Sequence, residues 1–107
     1  VRSGLFVLDR HCNSMGFLHG GMASAFADRS LAMAVWAATQ RMSLTLKLTL
    51  HFLETVRLHD WLEAHQSVQS HDHDLVHVSA DLLINGEKLA ARADATFRTL
   101  RRRQKQG

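Results

Sequence analysis

The run His19-Gly20-Gly21-Met22-Ala23-Ser24-Ala25-Phe26-Ala27-Asp28 holds groups that could act on a carbonyl. A glycine pair at the start of a helix presents free backbone N–H groups at the positive end of the helix dipole. Glycine also lets another molecule come close to the backbone. Such a place can hold a developing oxyanion. His19 and, further upstream, Asn13 add donors. Asp28 adds a carboxylate that could serve as base or nucleophile. Each group also has a plainer reading. The glycines could be an ordinary helix start, and Asp28 could pair with Arg29 or face solvent. Capping does not suit Asp28, because it lies about two turns inside a helix that begins at Gly20. Its helical face carries Ser24, Ala25, Leu31 and Ala32, which is only partly polar.

Eight residues of helix separate Gly20 from Asp28, a distance of ~12 Å at ~1.5 Å per residue. One carbonyl cannot touch both. If both act on one substrate, they come from different chains, and the site sits at a twofold interface with two sites per dimer.

These residues need elements to hold them. Leu5 to Arg10 reads as a short strand, and residues 11–19 as a loop around Asn13, Ser14 and Gly16. From Gly20 to about Gln40 alanine is abundant, and the residues suit a helix. That helix is apolar nearly all round, so burial on most sides is expected. The period then changes. Ser43 to Phe52 alternates strictly, with the leucines and Phe52 on one face and the polar residues, Thr45 included, on the other. Further strands are expected over about Trp61 to Ser70, Leu75 to Ile84 and Glu87 to Leu100. Val76, Val78, Ala80, Leu82 and Ile84 share one face. Leu89, Ala91, Ala93, Ala95 and Phe97 share another, and Asn85-Gly86 makes the turn between them. Short connections impose antiparallel pairing. The resulting expectation is an α+β fold, a curved antiparallel sheet wrapped around one long central helix.

Composition fits this reading. A chain of 107 residues, 46% hydrophobic, is one domain. Residues 1–100 are expected to form it, with a basic tail at 101–107. Five of the thirteen basic residues lie in Arg98 and that tail, Arg101-Arg102-Arg103-Gln104-Lys105. A solvated terminus explains them better than nucleic-acid binding, because no aromatic residues are interleaved. No apolar run reaches the ~18 residues that a membrane span needs. No membrane or nucleic-acid partner is therefore expected. Cys12, the one cysteine, fits a reducing compartment, so a cytoplasmic location is expected. Its neighbour His11 does not make it a catalytic pair. Val1 is not an initiator methionine, so residues upstream remain an open matter.

The spacing Asn13-x-x-Gly16-x-x-His19-Gly20-Gly21, followed by Asp28, resembles the signature of hotdog-fold acyl-CoA thioesterases. The branch it is most similar to is the phenylacetate-degradation and 4-hydroxybenzoyl-CoA type. Thr45 to Leu53 resembles that family's strand after the helix. Asn85-Gly86-Glu87 and Ala95-Thr96-Phe97 resemble its last hairpin and strand. The resemblance implies hydrolysis of an acyl- or aryl-CoA to free acid and CoA, by a dimer or a dimer of dimers, without metal or other cofactor. It implies that the Gly20 N–H polarises the thioester carbonyl and that Asp28 attacks it or activates water. Asn13 and His19 would place the leaving thiolate or the water, and Thr45 would set a hydroxyl near that water. Acyl preference would depend on how Met22, Phe26 and the facing chain pack.

Two stretches depart from the family pattern. A proline and a glycine usually follow Phe52-Leu53; here the chain reads Glu54-Thr55-Val56. The third-to-fourth strand loop, often glycine and arginine, is His71-Asp72-His73-Asp74. Both changes bear on how a CoA nucleotide would be held. The four side chains of that loop crowd one hairpin tip and read as a polar turn rather than a metal site. Two other functions on the same fold are weighed against hydrolysis. A carrier-protein dehydratase usually has a proline-containing turn and a helical glutamate, which this chain lacks. A non-catalytic acyl-CoA-binding module would have no use for Asp28.

Overall fold

The computed structural model describes residues 2–100; the basic tail expected at 101–107 lies outside them. Strand β1 (Arg2–Phe6) leads through a 3-10 turn (Asp9–His11) and a loop to helix α1 (Gly20–Thr39). Strands β2 (Ser43–Phe52), β3 (Trp61–Asp72), β4 (Leu75–Ile84) and β5 (Lys88–Thr99) follow. They form one sheet in the order β1-β3-β4-β5-β2, every pair antiparallel. The expected architecture of helix and sheet is the one observed, with β2 and β1 at its two edges.

Alanine content favours the helix, and Gln40 ends it in a left-handed conformation at φ 57°. Its buried face is Ala23, Phe26, Ala27, Ser30, Leu31, Ala34 and Val35, spaced three and four apart. These residues share one core with Val76, Val78, Ala80 and Leu82 of β4 and Ala91, Ala93, Ala95 and Phe97 of β5. The alternation in β4 and β5 therefore sorted inward from outward side chains correctly except at Leu89, which a bulge at Ala90 places opposite Leu83 on the outer face while Ala90 itself is buried. Small residues on both surfaces let the helix backbone approach the sheet. Asn85 and Gly86 turn with positive φ, as expected of this pair, and Asn85 is tied to Trp61 by two hydrogen bonds.

Three further expectations need correction. The strand expected at Leu5 to Arg10 lies earlier, at Arg2–Phe6. His11 N–H bonds to Leu8 O and Cys12 N–H to Asp9 O, and these i to i+3 bonds curl the chain where a strand was expected. The helix is buried on one face only. Met33 and Trp36, on its far side, are about half exposed, because a single sheet covers a single face. The third correction concerns β2 and reaches the site itself.

Phe97 is 1% exposed and is the largest fully buried side chain. Phe97→Ala should cost ~3–5 kcal/mol by lost transfer energy and a residual cavity. Urea denaturation followed by far-UV circular dichroism checks this, with the midpoint falling at unchanged slope.

Candidate active site

Strand β2 breaks its own alternation. It pairs Thr45 with Phe97 but Lys47 with Thr96, so Leu46 is an extra residue, a β-bulge. Cross-strand partners share a face. Before the bulge Ser43 and Thr45 therefore lie on the helix side with Thr99 and Phe97; after it Leu48 and Leu50 do, opposite Ala95 and Ala93. The uninterrupted period read from sequence placed Thr45 on the outer face. The bulge turns it inward, because one inserted residue flips every side chain on one side of it.

This inward turn gives Asp28 its partner. Thr45 Oγ1 donates to Asp28 Oδ1 at 2.6 Å, within the short range of a hydroxyl bonded to a charged carboxylate. Asp28 is half-buried on α1. Among the described residues no ion pair joins it to Arg29. The hydrogen bond aims one carboxylate oxygen and leaves Oδ2 without a hydrogen bond among the described residues.

Gly20 opens α1, with His19 as the residue before it. His19 has φ −77° and ψ 144°, and its carbonyl accepts the N–H groups of Met22 and Ala23. No carbonyl among the described residues accepts the N–H of Gly20, as is usual for a first helical residue. A Cβ at Gly20 would meet nothing within 4 Å, so its amide is open to approach. It borders a cleft of about 510 Å³ with Leu18, Phe52, Leu53, Glu54, Thr55 and Val56. The stretch that replaces the family's proline and glycine lines this cleft. It is held by Ala90 O, which accepts both Leu53 N–H and Glu54 N–H, and Glu54 pairs with Lys88 at 3.4 Å.

The structure thus pairs Asp28 with Thr45 and sets Gly20 beside His19, but it does not bring the two groups together in one chain. Asp28 does not line the Gly20 cleft. Asn13 is committed to its own loop: its Oδ1 accepts the N–H groups of Met15 at 3.0 Å and Phe17 at 3.2 Å. His19 is exposed, with its ring near Gly21. Cys12 is partly buried against the core and bridges to Leu18. His11, read only as its neighbour, is itself buried. No periodic pattern marks that position, since it lies in an irregular turn. His73, in the polar turn after β3, has φ 52° and pairs with Asp72 at 3.6 Å.

Fold and site together define a class, the hotdog-fold thioester hydrolases. Residues 15–91 match the thioesterase superfamily, and the chain belongs to it. A protein of Pseudomonas aeruginosa named "Putative esterase PA0474" is 37% identical over 91 residues, 83% of this chain and 67% of that protein. Among solved structures, smu.793 of Streptococcus mutans bound to acetyl CoA superposes with a TM-score of 0.87 at 22% identity, over 97% of this chain and 83% of that one. PaaI of Escherichia coli, from the phenylacetic acid degradation operon, superposes with a TM-score of 0.87 at 18% identity, over 94% of this chain and 72% of that one. These likenesses share the fold. No helix among the described residues is long and apolar enough to cross a membrane.

The Thr45–Asp28 contact should appear as an energetic coupling. A double-mutant cycle of Thr45→Val and Asp28→Asn, read by urea denaturation, should give about 0.5–1.5 kcal/mol. The same cycle in a chain lacking Leu46 should keep the coupling, because deleting the extra residue leaves Thr45 opposite Phe97 and Lys47 opposite Thr96 on a regular ladder.

Proposed function

We propose that this protein hydrolyses an acyl-CoA thioester to free acid and CoA at a site shared by two chains. The observation that carries the proposal is the hydrogen bond from Thr45 to Asp28. It orients a carboxylate on the helix that also presents the open Gly20 amide.

The two-chain arrangement is supported by the helix and by β2. Gly20 and Asp28 are ~12 Å apart along α1. Thr45 lies near one end of β2, and the Gly20 cleft meets the other end at Phe52. These ends are ~23 Å apart in one chain. Strand β2 is also a sheet edge, ten residues long, with Leu44, Leu46 and Phe52 each 50–54% exposed. Such an edge is a template for another strand. If a second copy pairs antiparallel to it about a twofold axis, the Thr45 end of each strand lies beside the Phe52 end of the other. Each Asp28 then approaches the partner's cleft, and two equivalent sites result.

In that site the Gly20 N–H donates a hydrogen bond to the thioester oxygen as negative charge develops on it. Asp28 supplies the electron pair, either directly to the carbonyl carbon or by taking a proton from water, and Thr45 holds it in place. The carbon–sulfur bond breaks and CoA leaves as the thiolate, placed by His19 and the Asn13 amide and protonated from solvent; on the direct route water then hydrolyses the acyl–Asp28 anhydride, releasing the free acid and restoring the carboxylate. The apolar wall formed by Leu18, Phe52, Leu53 and Val56 takes the uncharged part of the substrate. The CoA-bound S. mutans structure supports CoA as the carrier. Two such dimers pairing as a tetramer, and a cytoplasmic location, complete the reading.

Thiol release from short-chain, long-chain and aryl CoA esters tests the proposal. Asp28→Asn should lower kcat ~100-fold or more, and Thr45→Val ~10-fold. Sedimentation should find the native protein and both variants dimeric or larger. Full activity in Asp28→Asn would contradict the assigned chemistry, and a monomeric active protein would contradict the shared site.

A further inference from the structure

We infer that His11 is a positioning residue, fixing the start of α1 through a two-bond relay and so aiming the Gly20 amide. The inference rests on the thioesterase reading for its kinetic consequence, but not for its structural one.

His11 is 8% exposed, unusual burial for a histidine in a loop-rich segment. Its Nδ1 accepts the N–H of Leu8 at 3.0 Å, while its own N–H donates to Leu8 O at 2.9 Å. These reciprocal bonds lock the 3-10 turn. An accepting Nδ1 requires that a neutral ring carry its proton on Nε2. With the turn locked, the His11 carbonyl has one direction, and it accepts the N–H of His19 at 3.0 Å. His19 immediately precedes Gly20 and receives the first two carbonyl bonds of the helix. The relay therefore runs from the His11 ring to Leu8, from the locked turn to the His11 carbonyl, and from there to the residue that begins α1.

Nothing else among the described residues holds the His19 N–H. The remaining anchors of this loop act earlier. Leu18 N–H bonds to Val56 O, and Gly16 O accepts Leu58 N–H. Together with the Asn13 N–H to Phe17 O bond and the Cys12–Leu18 bridge they fix where the loop lies, while the bond that reaches His19 itself comes from the His11 carbonyl. An oxyanion donor acts only when aimed where charge develops. A misplacement of ~1 Å can cost ~100-fold. The relay thus acts on the transition state and little on substrate binding.

Three variants separate aiming from bulk stability. In His11→Asn the amide Oδ1 replaces Nδ1 as acceptor. His11→Leu removes the acceptor, and His11→Gln displaces it by one methylene while keeping the polarity. Two readouts are taken: amide hydrogen exchange at Leu8 and His19, and kcat and KM for the best acyl-CoA. His11→Leu and His11→Gln should speed exchange at both amides ~10-fold. They should lower kcat ~10- to 100-fold with KM within ~3-fold. His11→Asn should stay within ~3-fold of native on every count. If His11→Leu does not fold, the Asn and Gln pair decides alone. Unchanged His19 exchange in the Leu or Gln variant overturns the inference, as does an Asn variant as impaired as Gln. If native protein releases thiol from no ester, the functional reading fails and exchange at His19 alone decides the relay.

Discussion

A single inserted residue in β2 governs the direction of Thr45, and through it the direction of Asp28. Without the bulge at Leu46 the inward side chains at this end of the strand would be leucines, and Asp28 would face apolar surface. With it, a hydroxyl meets the carboxylate at 2.6 Å. A β-bulge costs ladder pairing and bends its strand. Its placement beside the one carboxylate inside α1 is what lets a helix made for packing also carry an oriented acid.

The same strand is an edge, and this ties the chemistry to assembly. A ten-residue edge with exposed leucines invites pairing. Helix geometry keeps Gly20 and Asp28 apart within one chain. Pairing two copies across β2 would resolve both constraints, covering the edge and completing the site. The rest of the fold serves these parts. The alanine surfaces seat α1 on β4 and β5, which sets the height of Asp28 above the sheet. The 3-10 turn and its loop set where the helix begins.

Much of this was legible in the sequence because periodicity reports directly on burial. The bounds of α1, β2 and β4 follow the change from helical to alternating pattern, and Asn85-Gly86 marks its turn by backbone preference alone. Short connections imply the antiparallel pairing of β3, β4 and β5, but not the place of β2 beside β5 or of β1 beside β3. The bulge was not legible. Leu44, Leu46 and Leu48 alternate without a break, and the interruption lies in the pairing with β5, a tertiary fact. For the same reason the sequence period puts Thr45 outward, although its place in the strand after the helix matches the family motif. The early strand was misplaced because Leu5-Phe6-Val7-Leu8 is apolar whether it extends or curls, and hydrogen bonds to Leu8 and Asp9 decide the matter. Asn13 and His19 were visible as donors, but not that Asn13 spends its oxygen on Met15 and Phe17.

The central claim is that each site takes its amide from one chain and its carboxylate from another, and subunit mixing tests it directly. Gly20→Pro removes the amide hydrogen at a first helical position that tolerates proline, after a residue already in the extended conformation proline requires. Gly20→Pro and Asp28→Asn should each be nearly inactive alone. Unfolded and refolded together in equal amounts, they should form mixed dimers in about half of cases, each with one intact site. The account predicts recovery of about a quarter of native activity. Recovery of none, with mixed dimers shown to be present, would contradict it.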